Sequence, residues 1–314
     1  MRIRFWGVRG SIPAPLLASQ IKNKISIIMN NLTPEDIKSP ESRERFLETL
    51  PPWLYGSVGG NTPCLSVNFG DPNEYVIFDA GSGIREMGTA ISREKPRPKL
   101  YHLFFSHFHW DHLQGLPFFN PAYDPSVTLN FYSPKQDLEG YLNGQMTFPY
   151  FPVQMDSMGA KKSYFHLQNK IELYKNVYVF YKKMNHPGDS YSYYIDDGKH
   201  RFVYATDSEL SAENFIKTDE NSLFFQDADL IVIDSQYTLG EFTEKYNWGH
   251  SAFSLAVDFA SNWGIKHMVL FHHDPNYDDR KLFNNLQAAK WYLEKLTNRG
   301  TKISLAMEGE EIIL

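Results

Sequence analysis

The sequence predicts an α/β (α+β) protein in which β-sheets are covered by helices, folded as one domain over residues 1–314. Three observations predict it. Apolar strands alternate with helical segments, and the rhythm of the first half returns in the second. Polar residues gather where the strands end. No composition shift marks a linker.

Arg2 to Trp6 reads as the first strand. It ends in Gly7-Val8-Arg9-Gly10-Ser11-Ile12-Pro13, a tight turn whose exposed backbone is able to hold an anion. Residues 14–57 interrupt the strand pattern. Ile21, Ile25, Ile28 and Met29 recur at helical spacing. Thr33-Pro34 has the form of an N-cap followed by proline at the first helical position. Arg43 to Leu50 adds a further helical turn. The segment reads as a helical insertion packed over the core, over the mouth of a site, or at a dimer surface. Strands resume at Cys64 to Phe69 and at Tyr75 to Asp79. Asp79 opens the loop Asp79-Ala80-Gly81-Ser82-Gly83 and reads as a ligand or, in preference, as an acceptor of hydrogen bonds from loop amides that holds the next loop in place. A helix follows from Ser82, with Ile84, Met87 and Ile91 on one face.

Leu100 to Phe105 is apolar on both faces, so both should be covered. It empties into His107, His109, Asp111 and His112. Alternate residues of an extended chain project to one side, so His107 and His109 can grip one ion while Asp111 and His112 face a second. Imidazole and carboxylate suit zinc, manganese or iron. Burying such a cluster unpaired would be costly.

Leu113 to Phe119 then reads as helical, Val127 to Tyr132 as strand, and Pro134 to Leu142 as a short helix. Met146 to Met158 is dense in aromatic, proline and methionine residues without clean periodicity, and reads as pocket wall, lid or core filler. Ile171 to Tyr181 is read as one strand, with His186 just after it. Tyr191 to Ile195 and Arg201 to Tyr204 flank Asp196-Asp197-Gly198, a hairpin signal, and Asp207 follows at once. Leu230 to Ile233 ends at Asp234. Gly249-His250-Ser251 precedes a helix from Ala252 to Trp263. Lys266 to Phe271 runs into His272-His273, and a helix from Asp278 to Leu296 and a strand near Ile303 close the chain.

Hydrophobic residues make up 42% and aromatic residues 15%, ample for a buried core. A net charge of −6 gives no overall attraction to nucleic acid or anionic membrane. The single cysteine, Cys64, excludes a disulfide framework and a cysteine-only zinc site. The start has no apolar signal core, and no apolar run approaches the roughly 18 residues of a membrane span. The expectation is a cytoplasmic protein with no membrane partner.

Of the 11 histidines, His107, His109, His112, His186, His250 and His272 fall at strand ends or in the loops after them. The set His107-x-His109-x-Asp111-His112, then His186, Asp207 and His272, resembles the ligand set of the metallo-β-lactamase superfamily. Phe5-Trp6-Gly7-Val8-Arg9-Gly10-Ser11-Ile12-Pro13, Gly59-Gly60-Asn61-Thr62-Pro63-Cys64, Asp79-Ala80-Gly81-Ser82-Gly83 and Gly249-His250-Ser251 resemble its phosphodiesterase branch, which holds ribonuclease Z and cyclic-nucleotide phosphodiesterase-like proteins. The resemblance implies a four-layer αββα sandwich with two divalent ions at one edge between the sheets, zinc first among them and manganese or iron as alternatives. It implies that His107, His109 and His186 hold one ion and Asp111, His112 and His272 the other, with Asp207 bridging; His273 is the neighbour able to replace His272. Two such ions can share a hydroxide that attacks a phosphodiester. His250 is implied as the histidine that contacts the scissile phosphate and protonates the leaving oxygen; a hydrogen-bonded helix cap is its structural alternative. Arg9, Ser11 and Asn61 are further candidate phosphate donors.

The activity so implied is hydrolysis of a small or cyclic nucleotide diester. The alternatives are a nucleotide-sensing module that keeps its metal site, or a hydrolase of a choline-phosphate ester, lactone or thioester. Transfer RNA is disfavoured as substrate, because the interval from His186 to Asp207 is short and filled by a hairpin where ribonuclease Z carries a long arm. A homodimer is the base-rate expectation. A planar base could stack on Tyr150 or Trp53.

Overall fold

The computed structural model describes residues 1–174, 176–297 and 300–314. Its strands form two seven-stranded sheets. The first sheet takes β1 (Arg2–Gly7), β2 (Cys64–Asn68), β3 (Glu74–Phe78), β4 (Leu100–Phe104), β5 (Thr128–Ser133) and β6 (Lys161–His166). The second takes β7 (Ile171–Tyr174), β8 (Val177–Met184), β9 (Ser190–Asp196), β10 (Arg201–Ala205), β11 (Leu230–Asp234), β12 (His267–Phe271) and β13 (Lys302–Leu305). The chain then returns to the first sheet, where β14 (Glu311–Ile313) pairs with β1.

Within each sheet, sequence order is spatial order, apart from β14 beside β1 and the reversal of the second sheet. The strands β3 to β6 are parallel, as are β10 to β13, while β1 to β3 and β7 to β10 alternate. Two reversals restore direction, so β1 runs with β3 and β8 runs with β10. The loops that follow β1, β3, β4, β8, β10, β11 and β12 therefore leave from the carboxyl ends of co-directed strands, the place where open α/β sheets present their ligands.

Between the sheets lies a buried aromatic layer that includes Phe5, Phe78, Phe104, Tyr193, Tyr204 and Phe271. Phe78 packs 5.5 Å from Tyr193 and 5.2 Å from Tyr204, ring to ring across the interface. The outer face of the first sheet is covered by the helix Gly83–Ile91, which buries Ile84, Met87 and Ile91. The outer face of the second is covered by Phe253–Trp263 and Asp279–Leu293. Helix, sheet, sheet and helix make the expected four layers.

Several local expectations are corrected. Leu113 to Phe119 is not an α-helix; it carries only a short 3₁₀ turn at Leu116–Phe118. Pro117 sits in that turn, and Gly115 presses so close to Gly81 that a Cβ would lie 2.0 Å from its carbonyl oxygen. The stretch 171–181 is not one strand but the hairpin of β7 and β8. Strands β6 and β14 went unread because neither has a clean alternation; β14 is three residues long and is recruited by pairing with β1.

Residues 14–57 are helical, as expected, with helices Ala18–Asn31, Pro40–Thr49 and Pro52–Tyr55. Leu50 and Leu54 are buried, but the helix Ala18–Asn31 does not bring its apolar stripe onto the core. No residue of Ala18–Asn31 is buried, and Ile21, Ile25 and Met29 are exposed. That helix is tied down by charge instead: Lys24 Nζ donates to Gly56 O at 2.7 Å and pairs with the buried Asp279 carboxylate.

Candidate active site

The loop after β4 is fixed before it reaches any ligand position. The Asp79 carboxylate, at the end of β3, accepts from the Ser106 amide, the Ser106 hydroxyl and the Tyr204 hydroxyl, each at 2.8 Å. Its Oδ2 also lies 2.8 Å from His112 Nδ1. A carboxylate so supplied sets the His112 tautomer and turns Nε2 inward. His272 and His186 are oriented the same way, with Nδ1 3.0 Å from Gln236 Oε1 and 2.8 Å from Gly249 O respectively.

Two groups of side chains result. The rings of His107, His109 and His186 lie 4.4–5.0 Å apart, centroid to centroid. Asp111, His112 and His272 form the second group, with Asp111 Oδ2 3.3 Å from both His112 Nε2 and His272 Nε2. Asp207, after β10, stands between them. Its Oδ1 is 3.7 Å from His107 Nε2 and 3.8 Å from His186 Nε2, while its Oδ2 is 3.1 Å from His112 Nε2 and 3.3 Å from His272 Nε2. One carboxylate thus serves both groups.

The backbone at this edge departs from ordinary geometry. Ser11, Asp79, Asp207 and His272 all adopt positive φ, between 47° and 64°. Such conformations cost of order 1–3 kcal/mol for residues with a Cβ and persist where surroundings over-determine them. Glycine supplies room beside the rings: a Cβ on Gly10 would lie 2.5 Å from His272, and one on Gly249 would lie 2.2 Å from His186.

Charge and solvation make the cluster unfit to stand alone. His107 Nε2 and His112 Nε2 are buried and lack a hydrogen-bond partner of acceptable geometry, although Asp207 is close. Burial would raise the Asp207 pKa, but His112, His272 and His107 outweigh it and hold the carboxylate well below its usual range. Burial likewise opposes Asp111 ionisation, and His112 prevails. Burial pushes His107 well below its ordinary 6.5, reinforced by His112. Ionised carboxylates, inward-turned imidazoles and orphaned nitrogens converging on two centres are the donor set of divalent metal ions. The ligand atoms of His107, His109 and His186, and those of Asp111, His112 and His272, lie within 4.8 Å of one another in each group. The residues present fit the group the sequence implied.

Beside the two groups opens a cleft of about 430 Å³, lined by Ser11, Phe108, His109, Trp110, Asp111, Asp207, His250 and His272. The His250 ring is stacked 4.9 Å from His272, and its Nδ1 lies 2.7 Å from Asp234 Oδ2.

A family model described as "Beta-lactamase superfamily domain" matches residues 74–273. The chain belongs to the beta-lactamase superfamily. It is similar to ribonuclease Z of Thermococcus kodakarensis, 32% identical over 110 residues, which is 32% of this chain and 33% of that protein. The chain therefore matches about a third of the length of this curated relative. Among solved structures, the metallo-beta-lactamase fold protein YhfI from Bacillus subtilis is similar over 99% of this chain and 98% of its own, with a TM-score of 0.64 and 16% identity. A diphosphatase of the PhnP family is similar over 100% and 97%, with a TM-score of 0.61 and 16% identity. Identities this low speak for the beta-lactamase superfamily fold and not for a substrate.

The structure brings His107, His109, Asp111, His112, His186, Asp207, His250 and His272 to one edge, with Ser11 beside them, and it separates Arg9, Asn61 and His273 from them. Arg9 does not face the cleft. Its guanidinium is buried, donating to the carbonyls of Gly59, Asp274 and Tyr277 at 2.9, 3.3 and 2.7 Å. Those bonds brace the chain beyond His272, a structural use that Arg-Gly-Ser in sequence cannot disclose. Asn61 is likewise engaged, donating to Glu308 and accepting from Ser82. Ser11 does line the cleft, and its backbone amide donates to Asp111 Oδ2 at 2.7 Å. His273 points away, with Nε2 3.0 Å from Ala306 O, so His272 is the residue at the site. Trp53 lies under the Arg280 guanidinium, and neither it nor Tyr150 lines the cleft. Asp79 has the bracing role expected of it.

Sequence reasoning missed Gln236, Tyr204 and Glu209. Glu209 accepts from the amides of Asn247 and Gly249 and so positions the loop that carries His250. Its only advance signal was nearness to Asp207.

Proposed function

We propose that this chain is a metal-dependent hydrolase of a small phosphodiester, cyclic nucleotides among the candidates, working with two divalent ions, zinc first. The observation that carries the proposal is Asp207, whose two oxygens face two separate histidine groups. His107, His109 and His186 would hold one ion, and Asp111, His112 and His272 the other. Ions held there supply Lewis acidity, which offsets charge on a phosphoryl oxygen and acidifies water.

The chain's own residues supply orientation and a proton. Asp79, Gln236 and Gly249 O engage the Nδ1 atoms of His112, His272 and His186, leaving each Nε2 turned inward. His250 engages Asp234 through Nδ1, which leaves Nε2 for the cleft. Burial disfavours its protonated form, yet the Asp234 charge outweighs burial and the pKa is pushed up to about 9. At neutral pH, Nε2–H is therefore present to donate to a phosphoryl or leaving oxygen. The Ser11 amide restrains Asp111 from the opposite side.

Ribonuclease Z is named for a phosphodiester substrate and the diphosphatase for a phosphorylated one, which supports hydrolysis at phosphorus here. The region between His186 and Asp207 is the hairpin of β9 and β10, with no room for a long arm, which favours a small substrate over transfer RNA. No helix among the described residues is long and apolar enough to cross a membrane.

The test is hydrolysis of bis-p-nitrophenyl phosphate and of 3′,5′- and 2′,3′-cyclic nucleotides by protein loaded with zinc, manganese or iron, with metal content measured. Turnover lost with chelator and in His109→Ala is the expected result. Absence of turnover by protein holding two ions per chain would overturn the proposal.

A further inference from the structure

Trp110 is 84% exposed, although its chain neighbours His109 and Asp111 belong to the two ligand groups. Tryptophan is usually well buried, so its place at the rim has to have a cause. Its main chain is pinned, because Trp110 O accepts from the Leu113 amide at 3.0 Å and the Gln114 amide at 2.8 Å. The residue is therefore fixed at the cleft through its backbone, and its side chain is left uncovered among the described residues. Phe108 lines the same cleft and is itself immobilised, with Phe105 5.8 Å away on one side and Tyr141 4.8 Å away on the other. Phe108 stands between His107 and His109, and Trp110 opens the short 3₁₀ turn Trp110–His112 that follows them.

The rest of the lining limits charge. None of the eight lining residues is Lys or Arg. Beyond what the two ligand groups and His250 can balance, a second phosphate on the substrate would find no cation there.

Resting on the diesterase proposal above, we propose that Trp110, with Phe108 in the same lining, is the specificity-determining platform of this cleft. The diester it selects carries one negative charge and a planar aromatic substituent, an aryl ring or a nucleobase, which lies on the indole. Ring stacking of this kind tolerates different rings because each has a π-face.

The experiment compares two diesters with the same leaving group and charge, phenyl p-nitrophenyl phosphate and methyl p-nitrophenyl phosphate. The metal-loaded protein is expected to favour the phenyl diester. Trp110→Ala should lower the phenyl-to-methyl ratio of kcat/KM about tenfold, at the modest end of stacking effects, and Trp110→Phe should restore most of it. An unchanged ratio overturns the platform. A second readout needs no turnover: equilibrium binding of diphenylphosphinate against dimethylphosphinate, with the same variants. If neither diester is hydrolysed but the aryl phosphinate binds better and Trp110→Ala removes that preference, the platform stands and the hydrolytic proposal falls. Hydrolysis without aryl preference gives the converse. Equal or undetectable binding of both phosphinates overturns the platform. Cyclic nucleotides that displace diphenylphosphinate from the wild type, and much less from Trp110→Ala, identify the base as the stacked group; displacement by aryl diesters alone identifies an aryl ring.

Discussion

In the loop from Phe105 to His112, His107 and His112 are 1% and 0% exposed, whereas in the helix Ala18–Asn31 no residue is buried, although Ile21, Ile25 and Met29 are apolar. Hydrophobicity alone would have assigned these two regions the other way round. The difference lies in what each side chain can pair with once folded. His107 and His112 leave water because Asp79, Asp111 and Asp207 are there to meet them and because an inward nitrogen can ligate a cation. The helix has no such network along its stripe and is fixed chiefly through Lys24 on Asp279, which also accepts from the Val58 amide and lies 3.9 Å from Arg9. Buried polar residues mark where the chain concentrates its interactions; the apolar residues of the helix do not mark a core.

The sharpest way to break this contrast is at Asp207. Asp207→Asn removes the charge shared by both histidine groups, and activity should fall roughly a thousandfold, the several kcal/mol that cation-assisted charge stabilisation supplies. Metal analysis should show loss of bound ion in the same variant. Retention of both ions and of rate would mean the carboxylate does not unite the groups.

His250 tests the proton rather than the charge. His250→Ala should slow diesters with alkoxide leaving groups about a hundredfold, and p-nitrophenyl esters much less, since p-nitrophenolate leaves without a proton. Equal slowing of both series would assign His250 to phosphate binding alone.

Asp79 touches no cleft atom, so its effect must pass through His112 and Ser106. Asp79→Asn is expected to weaken metal affinity roughly 10- to 100-fold, measured by competition with a chromophoric chelator. A variant that binds metal normally but unfolds earlier would reduce Asp79 to a structural anchor.

The helical segment should respond in stability, not in chemistry. Lys24→Met removes a charged hydrogen bond to a buried carboxylate and should cost about 2 kcal/mol in denaturant unfolding, with faster proteolysis between residues 18 and 50. Unchanged proteolysis would show that the segment is held by other contacts.

His102, on β4 below the metal loop, is a buried histidine without a carboxylate partner, the counterpart to His112. Burial lowers its pKa from 6.5 to about 4, so the folded state holds it neutral while the unfolded chain takes up a proton below 6.5. Its contribution to stability is therefore complete above pH 6.5 and is lost as pH falls toward 4, by at most about 1.4 kcal/mol per pH unit. His102→Gln should flatten that acid slope in pH-dependent unfolding.

The same contrast limits how far the sequence could be read. The strand ends were legible because an apolar run that stops at His, Asp or Gly marks the point where a buried strand leaves the core: β4 before His107, β10 before Asp207, β12 before His272. Asp79 could be given a bracing role because it closes a buried strand one loop before the ligands. Arg9 and Asn61 were misplaced for a physical reason. A guanidinium or an amide beside a glycine turn is equally suited to an anion and to backbone carbonyls or carboxylates, and only the approach of residues 274–277 and Glu308 decides which it meets.

The sequence by itself determined the alternation of strands and helices, the spacing of the histidine loop and the family likeness, because these depend on local periodicity and on residues close together in the chain. Only the tertiary structure decided that His272 rather than His273 turns inward, since a positive φ at His272 and the Ala306 carbonyl next to His273 set the two rings apart. It alone placed Gln236 and Glu209 behind the site and left Trp110 uncovered at its mouth. Those outcomes depend on pairings between residues far apart in the chain, and no local pattern records them.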